Sequence, residues 1–488
     1  MNRKMIRYIL GYVLMIEAAF MLLPVIVGMV YRESQSLWFV AVLSCAALLG
    51  YLLSRSRPRD TVFYLKEGCI ATALSWMIMS IIGALPFTLS GAIPNYVDAL
   101  FETVSGFTTT GASILPNVEA LPYCMLFWRS FTHWIGGMGI LVFLLAIISM
   151  TGGSHMNLMR AESPGPSVGK LVPKVRHTAT ILYLIYTGLT AIMVLFLLFG
   201  GMSLFESLCT AFGAAGTGGF GVKADSIAGY SPYIQWTVAV FMLLFGVNFN
   251  FYYYLLLRKF RLAVGMEEVR WYIIIVLAAT GVITLNILPA SHGFSVSLRE
   301  AAFQVSSIIT TTGYATADFD LWPQLSRTIL VLLMFIGACA GSTGGGIKVS
   351  RLLIAAKSAI VELHLYIHPK SVRRPRLDGR PVDGDMVKSV YAYFFLILVV
   401  FSVSVLLISF DGFDLTTNFT AVAATLNNIG PGLNRVGPTK NFAEFSGLSK
   451  FVLIFDMLAG RLELFPILLL LHPAVWRDAL TRRKSSAR

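Results

Sequence analysis

The chain has 488 residues, of which 56% are hydrophobic and only 13% charged, and its mean hydropathy is +0.73. That balance leaves too little polar surface to cover a water-soluble domain of this length, which excludes a soluble enzyme or binding module. The formal net charge of +13 would suit a nucleic-acid binder, but no base-stacking or groove-reading motif accompanies it, and the charge needs another explanation.

In chain order, apolar stretches long enough to cross a bilayer core are predicted at 6–30, 37–53, 67–91, 124–150, 178–200, 232–257, 271–289, 323–354, 389–410 and 447–471. The first follows Asn2, Arg3 and Lys4; it is too long for a signal-peptide core and lacks a small-residue cleavage site, so it is read as a retained anchor. With a cytoplasmic N-terminus and alternating sides, most Lys and Arg fall on the cytoplasmic face, in segments 55–66, 160–176, 258–270, 348–388 and 477–488. This is the positive-inside bias, and it accounts for the charge as topology and lipid contact.

Between paired spans the pattern breaks four times in the same way. A segment of roughly 15 residues, too short to cross, runs into a short polar turn with a glycine. The turns are Thr109-Thr110-Gly111-Ala112, Thr217-Gly218-Gly219-Phe220, Thr311-Thr312-Gly313-Tyr314 and Asn428-Ile429-Gly430-Pro431. Their glycines recur roughly every hundred residues, which marks an internal repeat. Thirteen residues ahead of each stand Asp98, Glu206, Glu300 and Thr417, side chains suited to the positive end of a short helix. Each unit is read as a re-entrant helix and extended loop between two spans. The predicted fold is an all-α polytopic membrane protein with a hairpin at 1–60 and pore repeats at 61–152, 153–258 and 259–356. The remainder, 357–488, holds a cytoplasmic loop, the fourth repeat and a short tail.

Non-helical backbone survives at membrane depth only where protein or water satisfies it, so these loops should line a central aqueous path. Glycine permits dihedrals that turn successive carbonyls one way, and four such loops can make oxygen rings that replace a cation's water shell. The re-entrant helices would aim their partially negative C-termini at the centre. Neutral oxygens without a ring of acids favour a monovalent cation, potassium first. The candidate ligands are Thr109, Thr110, Gly111, Thr217, Gly218, Gly219, Thr311, Thr312, Gly313, Asn428, Ile429 and Gly430.

Three runs carry a family resemblance: Glu102-Thr103-Val104-Ser105-Gly106-Phe107-Thr108-Thr109-Thr110-Gly111-Ala112, Arg129-Ser130-Phe131-Thr132-His133-Trp134-Ile135-Gly136-Gly137-Met138-Gly139 and Gly341-Ser342-Thr343-Gly344-Gly345-Gly346-Ile347-Lys348. Together they resemble the Trk/Ktr/HKT superfamily of potassium transporters. The N-terminal hairpin and the length point, within it, to the membrane subunit of bacterial Trk systems. The resemblance implies four fused channel-like repeats, a homodimer with one pore per protomer, and residence in the bacterial cytoplasmic (inner) membrane. It also implies a TrkA-like peripheral subunit that binds NAD(H) and adenine nucleotides. Two loops depart from the Thr-Thr-Gly form, at Gly218-Gly219-Phe220 and Ile429-Gly430-Pro431. A sodium-permeable or sodium-coupled relative is the alternative within the superfamily; family comparison links Ser at the first filter glycine to sodium permeation, and Gly111 stands there.

Residues 338–346 place four glycines and two hydroxyls inside the predicted span 323–354, a composition that cannot hold a regular helix. A kink with small-residue packing and a phosphate-binding loop are the other readings, the latter lacking Gly-Lys-Ser/Thr after a strand. The favoured reading is an intramembrane gate built on Gly341, Ser342, Thr343, Gly344, Gly345 and Gly346, which the resemblance also implies. Arg461 lies inside the last span, where an arginine costs roughly 2.5–3.5 kcal/mol unless it meets a partner or water. It is expected either to pair with Asp456 or Glu463, or to face the pore and support the glycine loop, the role that the resemblance implies. Lys348 either assists it or is a solvated flank.

Other features carry less. His364 and His368 stand four apart without the rest of a zinc motif, and His133 beside Trp134 reads as a hydrogen-bonded interfacial residue. Cys45, Cys69, Cys124, Cys209 and Cys339 are scattered and suggest neither disulfides nor zinc. A polytopic membrane enzyme would need acid/base or metal groups gathered at the membrane face, whereas the acids here are dispersed. With the last span ending near 471, cytosolic nucleotide control is expected to need another polypeptide. It would dock on 152–177 and 357–388, including Arg373-Arg374-Pro375-Arg376.

Overall fold

The computed structural model describes residues 2–56, 58, 64–139, 175–290, 293–473 and 475. Part of the predicted span 124–150, most of the basic segment 160–176 and loop 152–177, and the tail from 476 lie outside the described residues.

The N-terminal hairpin pairs Arg3–Phe20, continued by Leu22–Tyr31, with Ser36–Ser54. Gly11 and Gly50 face each other, and a Cβ on either would fall 2.7 Å from the other's carbonyl oxygen, so the helices approach as small residues allow in a membrane. The hairpin turn is tied to the first repeat, since Glu33 accepts hydrogen bonds from Tyr123 N (2.7 Å) and Cys124 N (2.9 Å). That carboxylate satisfies two of the free donors at the start of a helix that Pro122 leaves without a side-chain cap.

Each repeat then supplies a first helix, a re-entrant helix and a second helix. They are Leu65–Leu89, Tyr96–Phe107 and Tyr123–Met138; Val175–Phe199, Leu204–Gly216 and Pro232–Gly246; Glu267–Ile287, Phe294–Ile309 and Gln324–Met334; Gly384–Ile408, Leu415–Leu426 and Gly447–Arg461. The first helices and the hairpin are long and apolar enough to cross a bilayer. They expose large apolar side chains such as Leu37, Leu48, Phe199, Leu285, Leu398 and Leu406, the surface a lipid environment requires and water would penalise.

The second helices differ from the continuous spans predicted for them. Pro232–Gly246 gives way to Phe249–Leu256 at a 90° bend, where Asn248 caps the new helix by accepting from Asn250 N (2.9 Å). Gln324–Met334 ends in an irregular stretch, and helix resumes only at Val349–Ile367, so the predicted break at 338–346 is wider, spanning 335–348. Gly447–Arg461 is cut from Phe465–Leu471 by Glu463 and Leu464, both with positive φ. Tyr123–Met138 ends on Gly139, also at positive φ. Beyond the membrane core, Val349–Ile367 leads to a small antiparallel hairpin, Arg376–Leu377 with Arg380–Pro381. Asp378 Oδ1 accepts from Glu267 N (2.7 Å), fixing that hairpin to the third repeat.

Candidate functional site

Three of the four re-entrant helices begin on a side-chain cap. Asn95 accepts from Val97 N, Ser203 forms a capping box with Glu206, and Asp414 accepts from Thr417 N. Asp98, Glu206 and Thr417 therefore lie one turn inside their helices. Glu300 does not fit: the third helix starts at Phe294 behind Gly293, which places Glu300 in its interior.

All four helices end in the same backbone device. Thr109, Thr217, Thr311 and Asn428 take left-handed φ between 54° and 59°. The third residue of each loop, Gly111, Gly219, Gly313 or Gly430, is again at positive φ, from 77° to 99°. Alternating handedness turns successive carbonyls to one side, where a regular strand would alternate them. The residues between them repeat one hydrogen bond into the preceding helix: Thr110 N to Ser105 O (2.9 Å), Gly218 N to Gly213 O, Thr312 N to Ser307 O and Ile429 N to Ala424 O (each 2.8 Å).

The loops close on one another in chain order. An ideal Cβ on Gly111 would lie 2.0 Å from the Gly218 carbonyl oxygen, one on Gly219 1.9 Å from that of Thr312, and one on Gly313 2.1 Å from that of Ile429. The circle closes with Gly430, whose Cβ would stand 2.8 Å from the Thr110 oxygen. Glycine is thus required twice over at each of these positions, by φ and by the neighbouring loop.

Buried polar contacts hold the loops from behind. Glu102 Oε1 accepts from Arg129 Nε (2.6 Å) and from Ser113 Oγ, while Oε2 accepts from Ile114 N; Arg129 Nη1 donates to Gly221 O. The hydroxyls of Thr108 and Thr110 stand 2.8 Å apart, those of Thr310 and Thr312 2.7 Å. Asn428 Nδ2 donates to Thr110 Oγ1 and to Met457 O, both at 2.9 Å, bridging the fourth loop to the first. The Tyr314 hydroxyl reaches Thr210 O (3.1 Å).

A cavity of about 150 Å³ on one side of the ring touches all four glycines, Gly111, Gly219, Gly313 and Gly430. On the other side the irregular stretch of the third repeat packs directly against the loops: Gly345 N donates to Thr311 Oγ1 (2.6 Å), and a Cβ on Gly345 would meet Asn427 O at 2.8 Å. The second repeat's bend holds the same stretch, through Cys339 N to Gly246 O (3.1 Å), Phe249 N to Gly341 O (3.0 Å) and Thr343 Oγ1 to Phe245 O (3.3 Å). Glu268 brackets the glycine run 341–346, accepting from Ala340 N (2.7 Å) and Ser350 N (3.0 Å).

Arg461 joins this stretch to two repeats, donating to Thr343 O (2.9 Å) and to Gly137 O (2.9 Å) and Gly136 O. Of its two expected acid partners, Asp456 accepts from Ser404 Oγ (2.7 Å) and Glu463 pairs with Arg351. Lys348 is no solvated flank: it is buried, and its Nζ donates to Gly344 O and Gly345 O. A cavity of about 70 Å³ beneath is lined by Trp76, Gly341, Lys348, Arg461 and Glu463 among others. His133, expected at an interface, is fully buried, and neither ring nitrogen has a hydrogen-bond partner among the described residues. The His364 and His368 rings lie 4.8 Å apart at a tilt of 58°, and no group of three His, Cys, Asp or Glu able to hold a metal occurs among the described residues.

An all-α, multi-span membrane chain whose four repeats converge on one ring of backbone has the build of a membrane transporter. The TrkH family profile, described as a cation transport protein, matches residues 35–478, and the chain belongs to that family. It is 37% identical to the Trk system potassium uptake protein TrkH of Salmonella typhimurium, over 98% of this chain and 100% of the relative. It is 36% identical to the protein of the same name in Escherichia coli strain K12, with the same coverage. Identity to the Trk system potassium uptake protein TrkG of that strain is 30%, over 97% of this chain and 99% of the relative. The crystal structure of the potassium transporter TrkH from Vibrio parahaemolyticus aligns with a TM-score of 0.87 at 32% identity, covering 98% of this chain and 100% of that one. The family is one of transporters, which sets aside the membrane-enzyme alternative.

Proposed function

We propose that the chain carries potassium into a bacterial cell across the cytoplasmic membrane. The ion passes through the ring made by 109–111, 217–219, 311–313 and 428–430. The single observation that carries this reading is the fourfold recurrence of one backbone, closed in chain order with a glycine at each contact. Carbonyl oxygens on four sides, with threonine hydroxyls in three of the loops, replace the hydration shell of a weakly hydrated monovalent cation, and four helix C-termini add partial negative charge. The relatives' names, which specify potassium uptake, support the choice of ion.

Beneath the ring, residues 341–346, Lys348 and Arg461 act as the gate. The stretch lies against Thr311 and Asn427, and two cationic side chains grip its carbonyls. Both termini face the cytoplasm by the positive-inside distribution. A TrkA-like NAD(H)- and nucleotide-binding subunit docks on 357–388, where Arg373, Arg374 and Arg376 are exposed, and two copies of the chain form a homodimer. The test is radioactive rubidium uptake by the purified protein in proteoliposomes. Uptake that potassium suppresses and equimolar sodium does not is expected; equal suppression by both ions, or no uptake, would overturn the reading.

A further inference from the structure

In three loops the residue ahead of the ring glycine carries a side chain, namely Thr110, Thr312 and Ile429; in the second it is Gly218. The backbone does not demand glycine there, because Gly218 is not among the positive-φ residues. What excludes a side chain is His133. An ideal Cβ on Gly218 would fall 1.9 Å from His133 Nδ1, 2.3 Å from Cε1 and 2.4 Å from Cγ, within the imidazole itself. Two residues earlier, where the first and third loops have Thr108 and Thr310, stands Gly216, and a Cβ there would lie 2.1 Å from the His133 carbonyl oxygen.

The second loop therefore lacks both hydroxyls of the pairs that brace the first and third, and His133 fills that space. The ring also stacks on Phe220, centroids 4.2 Å apart and planes 26° apart. Arg129 Cζ lies 3.5 Å from the centroid of the same Phe220 ring. Two groups that close to one centroid cannot share a face, so Phe220 is held between Arg129 and His133, one helical turn apart. The Gly218 carbonyl that His133 backs is the oxygen against which Gly111 of the first loop packs.

We infer that His133 is a specificity-setting positioning residue for the ion ring, and that residue 218 is glycine to admit its imidazole. His133 does not touch the ion; it fixes the Gly218 carbonyl from behind in place of the missing threonine pair. The inference rests on the reading of the ring as a potassium filter.

The test uses the full chain in proteoliposomes, with the potassium-to-sodium permeability ratio from reversal potentials and the yield of monodisperse protein measured together. His133→Ala is expected to lower the ratio about tenfold by freeing the carbonyl, and Gly218→Ala to lower it similarly by collision. The double variant His133→Ala/Gly218→Ala should return to within about threefold of wild type, because the new methyl occupies the vacated space. His133→Asn, which keeps a planar group at Cγ, should retain the ratio. A folded His133→Ala protein with the wild-type ratio overturns the inference, as does a double variant no better than the singles. Should His133→Ala fail to fold, rescue of folding and ratio in the double variant supports it, and failure of that rescue overturns it. A wild-type protein without potassium preference would instead sink the filter reading.

Discussion

Arg461→Ala separates a gate residue from a structural one. Of the described bonds of Arg461, one reaches the stretch proposed as the gate, at Thr343 O (2.9 Å); the others hold the end of the first repeat's second helix at Gly136 and Gly137. A hydrogen bond from a charged donor contributes about 1.5–3 kcal/mol. At 1.36 kcal/mol per factor of ten, its loss shifts the obstructed-to-open ratio roughly 10–100-fold. With Arg461 facing the path as proposed, removing its positive charge lowers the barrier to a cation further. Lys348 still grips Gly344 and Gly345, so the stretch is loosened rather than released. Rubidium uptake per folded protomer should rise at least several-fold. Shortening 341–346 should raise it too, and the double change should gain less than the sum in activation free energy, because both act on one barrier. Reduced uptake at normal folded yield in Arg461→Ala would refute the reasoning.

At the ring itself, Gly111→Ser and Gly313→Ser each place a Cβ about 2 Å from a neighbouring carbonyl oxygen, and reversal potentials should show sodium admitted. An unchanged potassium-to-sodium ratio in both would count against the ring as filter. Glu268→Ala frees the amides of Ala340 and Ser350 that pin the two ends of the gate, and uptake should rise several-fold, with Glu268→Gln intermediate. Charge reversal at Arg373, Arg374 and Arg376 should weaken co-purification with a TrkA-like subunit while leaving uptake by the isolated chain unchanged, and equal recovery of the complex would remove that docking site.

The repeated architecture was legible because it rests on local signals that recur: an apolar stretch, a capped short helix, and a glycine where the backbone turns left-handed. Arg461 and the glycine run of the third repeat stood out for the same reason, since a charge and a helix-breaking composition inside apolar segments are local anomalies. The breaks in the second and fourth repeats did not. They depend on Asn248 turning its side chain to cap a new helix and on Glu463 and Leu464 adopting positive φ, conformations that no glycine run announces. Glu300 misled because its distance from Gly313 matches the other repeats while the third helix begins earlier, at Phe294. Sequence alone left Lys348 either a gate residue or a solvated flank, because its place just after the glycine run suits both; the chain folds back so that its side-chain nitrogen meets the carbonyls of that run. The fit between His133 and Gly218, and the clamp of Glu268 on Ala340, join distant parts of the chain and could be found only once the fold brought them together.

The measurement that bears most directly on the central claim is the reversal potential of the purified chain in planar bilayers or proteoliposomes under separate potassium, sodium and proton gradients. The account predicts that the potential follows the potassium gradient and that Gly111→Ser shifts it toward sodium. A wild-type potential that follows sodium as closely as potassium, or that ignores the potassium gradient, would contradict it.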